Sequence, residues 1–140
     1  MERLREKLAK GAKALVALQE VAGIAEVPVL TRDAAIQRFE FTFEAIWKAA
    51  KLYLKEIEGI EVGSPKGVLR SFREVGILSE EETSLGLEMV DDRNLTSHTY
   101  NEGLAVSIYV RLDQYAKLLG CWLERMKKQS EEIAGQGKLN

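Results

Sequence analysis

The chain has 140 residues, 46% of them hydrophobic and 30% charged, with a formal net charge of -2, one histidine (His98) and one cysteine (Cys121). A single Cys forms no intramolecular disulfide, and one Cys with one His is too few for a Cys/His zinc site, so stapled secreted folds and zinc sites of that kind are excluded. The small net charge gives no global pull toward nucleic acid, so any RNA contact must be local. The first helix is expected from Glu2 to about Val21, on the recurrence of Leu4, Leu8, Leu15 and Leu18 with Lys and Arg between them. Gly23 and the stretch around Pro28 form a connection, because Pro28 disfavours a continuing helix.

The second helix is expected to start at a Thr31 cap, with Asp33 in the first turn. Ile36, Phe39, Phe43, Ile46, Ala50 and Tyr53 make one apolar stripe, which Phe41, Trp47 and Leu54 widen, so this helix should be central. Glu40 and Glu44 are four apart on it, a like-charge pair for which exposure is the simple reading and pairing with a residue such as Arg93 the alternative. Residues 56–62 alternate in polarity but have no partner strand, and they read as a loop around Gly59 and Gly63. Ser64–Pro65 opens a short third helix that ends near Gly76. Ser79 with Glu82 forms a capping box for a fourth, running toward Arg93. Asn101 caps the last helix, whose stripe is Leu104, Ile108, Leu112, Tyr115, Leu119, Trp122 and Met126. Cys121 sits among apolar neighbours and reads as core, and the tail over 130–140, with Gly135 and Gly137, should fray. The expectation is an all-α, up-and-down bundle of four or five helices, one domain over 1–140. No apolar run approaches the ~18 residues that span a bilayer, and the N-terminus is charged, so a cytoplasmic location with no membrane partner is expected.

Chemistry concentrates in Asp91–Glu102, where polar and ionisable side chains lie between two apolar-patterned helices. Any acid–base work near neutral pH falls first on His98. Arg93 precedes it by five residues, about 140° around an ideal helix with ~7.5 Å of rise, so the two would not share a face of one continuous helix. A helix break before Asn101, or the same segment of a second subunit, would bring an Arg and a His together. Those residue types suit phosphodiester chemistry. A guanidinium holds a phosphate oxygen and stabilises charge developing on it. An imidazole can take the proton of a ribose 2′-OH, or its protonated form can protonate the leaving oxygen. No metal or other cofactor is required. The structural alternative is that Arg93 and His98 bridge a helix junction, with Thr96, Ser97 and Thr99 satisfying loose backbone groups. From Ser79 to Glu102 there are seven acidic residues and one basic one, so cations for a phosphate must come from elsewhere. Lys66, Arg70 and Arg73, on one face of the third helix, are a candidate phosphate-holding stripe.

Arg93-Asn94-Leu95-Thr96-Ser97-His98-Thr99-Tyr100 resembles the Arg-x4-His-x-Tyr signature of HEPN-domain proteins. The segments 32–48 and 64–70 resemble the second- and third-helix signatures of one HEPN branch, labelled "nucleotidyltransferase substrate-binding protein", and the likeness runs from about Leu4 to Met126. This resemblance implies a helical bundle similar to the C-terminal domain of kanamycin nucleotidyltransferase. It also implies a homodimer with the motifs near the interface, and a partner chain of the MNT nucleotidyltransferase type. In its toxin–antitoxin form it implies a metal-independent endoribonuclease acting on RNA, with no DNA partner. The MNT chain would silence it by transferring AMP to the motif tyrosine. Arg93 and His98 would then be catalytic, Asn94 supporting and Tyr100 the AMP acceptor. The alternative within the branch is a non-catalytic substrate-binding subunit of a two-component nucleotidyltransferase.

Overall fold

The computed structural model describes residues 1–98 and 101–139, with side chains described for residues 1–97 and 101–136. Its elements are α1 (Glu2–Gln19), α2 (Val29–Tyr53) continued by a π-helical turn (Leu54–Glu58), α3 (Pro65–Glu74), α4 (Glu80–His98), α5 (Glu102–Tyr109) and α6 (Leu112–Leu139). The fold is an all-α helical bundle. Among the described residues, no helix is long and apolar enough to cross a membrane.

Helix α2 forms the axis, in contact with α1, α3, α4, α5 and α6. Its stripe is buried as the spacing requires: Phe39, Ile46, Ala50 and Tyr53 have no exposed surface, and Phe43 has almost none. Phe39 stacks on Tyr115 of α6 (centroids 5.6 Å apart), while Tyr53 meets Phe72 of α3, which takes Trp122 of α6 edge-on at 5.2 Å. Such pairs add ~0.5–1.5 kcal/mol each beyond their burial, and they tie α3 and α6 to the α2 axis and to each other. The α1 stripe skips from Leu8 to Leu15 because Gly11 fills the gap. A Cβ there would stand 3.0 Å from Ile46 Cγ1, so the glycine sets the close approach of α1 to α2.

Several boundaries differ from the sequence expectation, each for a local reason. Helix α2 begins at Val29, behind an extended Pro28 whose carbonyl accepts from Arg32 N, so Thr31 lies inside the helix and caps nothing. Pro suits that flanking position because it has no N–H to leave unpaired. Residues 54–58 are a π-helical turn rather than a loop. It ends at Gly59 in the left-handed region (φ 68°), with Ile60 N donating to Leu54 O. The last stripe is cut into α5 and α6 at Val110–Arg111, where Arg111 turns its guanidinium onto Asp92 and Ser107. Gly135 and Gly137 do not end α6, which continues to Leu139. Cys121 is exposed, not core, since Leu119 and Trp122 take the inward face and position 121 lies ~200° from Leu119. Phe41 is likewise outward, 64% exposed, two residues on from Phe39. Three caps form as their residues demand. Ser64 Oγ accepts from Gly67 N, Ser79 and Glu82 bond each other's backbone N–H, and Asn101 Oδ1 accepts from Leu104 N.

Candidate functional site

Helix α4 runs unbroken through the polar segment to His98, beyond the Arg93 end expected for it. It is compatible with helix there because Thr96 and Ser97 turn their hydroxyls back onto the Arg93 carbonyl, at 2.8 and 3.2 Å. The break therefore falls after His98, not between Arg93 and His98. Along an unbroken helix those two positions stand ~140° apart. The side chain of His98 and all of Tyr100 lie outside the described residues. Asn94 is exposed on α4.

Arg93 sits where α4 crosses α2. Its Nη2 donates to Glu44 Oε2 at 3.1 Å, and its Cζ lies 5.8 Å from the centroid of the Phe43 ring, a cation–π position. Nε is buried without a partner. The side chain retains 31% exposure, so it is held by Glu44 and Phe43 yet still reaches solvent. That is the arrangement an anion-binding arginine needs: fixed in direction, with donor capacity left over.

Glu44 is the residue for which the sequence favoured exposure. It is half-buried and accepts three donors: Arg93 and Trp47 Nε1 (3.2 Å) on Oε2, and Lys48 Nζ (3.1 Å) on Oε1. Burial alone would raise its pKa. The hydrogen bonds from Lys48 and Trp47 and the charges of Lys48 and Arg93 outweigh burial and hold the carboxyl below its ordinary value. The signal in the sequence was the Glu44–Lys48 spacing of four, which marks an ion pair but not its third partner. One turn earlier Glu40 accepts from Ser97 Oγ at 3.4 Å, extending the α2–α4 seam toward His98. Beyond it lies a cleft of ≈ 360 Å³ lined by Asp33, Ile36, Gln37, Glu40, Thr96 and Asn101, with Leu104, Ala105 and Ile108 at its base.

The neighbouring residue Asp92 points to the other side of α4. It accepts a two-pronged bond from Arg111 Nε and Nη2, at 2.8 and 3.0 Å, and a further bond from Tyr115 OH. Burial and the Asp92 carboxylate push the Tyr115 phenol above its ordinary value, and the Asp92 bond does the same for Arg111. At the entrance of α2, Arg32 is buried, with Nε and Nη2 lacking hydrogen bonds and carboxylates of Asp33 and Glu102 at 3.8 and 3.7 Å. The stripe on α3 is divided: Lys66 pairs with Asp91 at 2.7 Å, while Arg70 and Arg73 are exposed. Among the described residues, no three His, Cys, Asp or Glu side chains converge as a metal site.

Residues 6–128 match the model of a family described as "Nucleotidyltransferase substrate binding protein like". Among curated proteins, the chain is similar to a "Probable ribonuclease HepT" of Haemophilus influenzae. The two are 30% identical over 101 residues, 69% of this chain and 68% of that protein. Among solved structures, a Thermus thermophilus protein superposes with a TM-score of 0.80 at 56% identity, over 83% of this chain and 98% of that one. A Shewanella oneidensis HEPN toxin, solved tri-AMPylated in complex with an MNT antitoxin, shares the fold. Its TM-score is 0.71 at 15% identity, over 89% of this chain and 96% of that one.

Proposed function

The chain belongs to the nucleotidyltransferase substrate-binding-protein-like family, a branch of the HEPN proteins, and from that premise we propose that it is a metal-independent endoribonuclease of the HEPN toxin type. Arg93 and His98 are its catalytic pair, and Asn94 supports them. The observation that carries this reading is Arg93 itself: aimed by Glu44 and Phe43, yet open to a ligand on its remaining side. In the reaction, the Arg93 guanidinium holds a non-bridging oxygen of the scissile phosphate. A neutral His98 imidazole takes the proton of the ribose 2′-OH, and the 2′-oxygen bonds to phosphorus. The P–O5′ bond breaks, its electron pair leaves on O5′, and that oxygen takes a proton from an imidazolium or water. The products are a 2′,3′-cyclic phosphate and a 5′-OH end.

A homodimer suits this chemistry, because positions 93 and 98 stand ~140° apart on one helix and a second copy could supply the complementary group. The partner of the system is an MNT-type nucleotidyltransferase chain. It would transfer AMP from ATP to the Tyr100 oxygen, releasing pyrophosphate and setting a charged group two residues from His98. Lys66, Arg70 and Arg73 are retained as a secondary phosphate-binding stripe, with Lys66 released from Asp91 on binding. The setting is the cytoplasm, and the substrate is RNA.

The test is cleavage of a labelled single-stranded RNA in the presence of chelator. Wild type should leave cyclic-phosphate ends, and His98→Ala should lose ~10²-fold or more of the rate. Intact mass after incubation with the partner and ATP should rise by AMP units, and Tyr100→Phe should abolish the gain. A second reading, a non-catalytic substrate-binding subunit, draws on the description of the family itself. Under it, the chain expressed alone would not arrest growth. Under the ribonuclease reading it does, and His98→Ala relieves the arrest.

A further inference from the structure

A second and larger cleft lies outside the Arg93 site. It is an open groove of ≈ 600 Å³ between the start of α1 and the end of α2, lined by Arg3, Lys7, Trp47, Lys48, Lys51 and Lys55, with Leu52, Glu61, Val62 and Gly63 completing it. Five cations face a single carboxylate in a chain whose net charge is -2. Among the described residues, Arg3, Lys7 and Lys51 pair with no carboxylate within 4.0 Å, and the Lys55–Glu61 pair is loose, at 4.0 Å between exposed side chains. Helical spacing explains the alignment: positions 3 and 7 share a face of α1, and positions 48, 51 and 55 share a face of α2 and its π-helical extension. Unpaired like charges gathered in one groove repel one another, and an anion relieves that repulsion.

We propose that this groove binds the backbone of single-stranded RNA and guides it to Arg93. Three features favour a polymer. The cations are strung along the groove, with positions 48 to 55 spanning ~10 Å of helix, more than one phosphate occupies. The groove is open rather than enclosed. An aromatic side chain, Trp47, lines the groove among the cations, and cations with an aromatic are the combination by which proteins hold single strands without reading sequence. Glu44 joins the groove to the site, accepting both from Trp47 and Lys48, which line the groove, and from Arg93. The groove thereby supplies the cations that the acidic segment 79–102 lacks. The inference rests on the ribonuclease reading for the fate of the strand, but not for its binding.

The experiment measures binding apart from cleavage. A fluorescent 20-nucleotide RNA with 2′-O-methyl riboses, which cannot be cleaved by 2′-OH attack, is titrated with wild type and with a Lys7→Ala/Lys51→Ala/Lys55→Ala variant at several salt concentrations. The variant should bind at least tenfold more weakly, and the slope of log affinity against log salt should shrink by about 2, from three lost contacts at about 0.7 each. A Lys117→Ala/Lys128→Ala control, with exposed cations outside the groove, should bind like wild type. Melting curves for all three proteins confirm the fold, and none of the removed side chains is buried. Binding by the triple variant within twofold of wild type, with an unchanged salt slope, overturns the proposal. So does full displacement of the RNA by stoichiometric ATP, which would make the groove a nucleotide site. If RNA binds through the groove but wild type does not cut natural RNA, the ribonuclease reading fails and the groove stands. If natural RNA is cut equally by the triple variant and wild type, the groove fails alone.

Discussion

Asp92 and Arg93 are adjacent in the chain, equally polar, and both ion-paired, yet they sit in opposite situations. Asp92 is 7% exposed and saturated: two donors from Arg111 and one from Tyr115 fill it, and through them α4 is tied to the α5–α6 junction. Among the described residues, Arg93 is paired with Glu44 alone, keeps a buried Nε without a partner, and leaves 31% of its side chain exposed. A filled network on the inner face of a helix is structural. An incompletely filled one at its edge, oriented by an aromatic face and a carboxylate, has capacity for a ligand. The difference says which of two neighbouring charges stability depends on and which is available for chemistry.

Substitutions should separate the two roles. Asp92→Ala should have the largest effect on stability, a loss of ~3 kcal/mol, because it leaves the Arg111 guanidinium and the buried Tyr115 hydroxyl without their acceptor. Chemical denaturation monitored by circular dichroism reads it out. Tyr115→Phe removes only one bond of that network and should cost ~1 kcal/mol by the same measurement. Arg93→Ala and Glu44→Gln should each change stability by less than ~1 kcal/mol, since the pair is partly exposed. A loss for Arg93→Ala as large as that for Asp92→Ala would erase the distinction.

Acid provides a smaller and more local contrast. The Arg125 bond and the Ser79 capping interactions, against the opposing effect of burial, bring the Glu82 carboxyl down from 4.5 to about 2. A group depressed on folding stabilises the native state above its unfolded pKa and loses that contribution as pH falls through the folded one. The melting temperature should therefore decline between pH 4.5 and about 2, and Glu82→Gln should flatten part of that decline.

Much of the bundle is legible in the sequence because helical periodicity is a local property. The α2 stripe, the Ser79–Glu82 box and the Asn101 cap need only neighbours within four residues. The α5–α6 break is not legible, since Val110–Arg111 holds neither Gly nor Pro and the turn accompanies an ion pair with a residue 19 positions away. Gly11 could be read only once α1 was seen pressed on Ile46. At the candidate site, the Arg-x4-His-x-Tyr string marked Arg93, but the partner that aims it, Glu44, is 49 residues distant, and its like-charge neighbour Glu40 made exposure the simple reading. The cationic groove was hidden for the same reason. Arg3 and Lys7 look like an ordinary solvated face until folding sets them opposite Lys48, Lys51 and Lys55.

The most direct test of the central claim compares metal-free RNA cleavage by wild type and Arg93→Ala, with denaturation curves taken on the same preparations. The expected result is a loss of at least ~10²-fold in cleavage with stability nearly unchanged, as for removal of a charge-stabilising donor. Cleavage by Arg93→Ala at the wild-type rate, from protein that is fully folded, would contradict the assignment of Arg93 to the reaction.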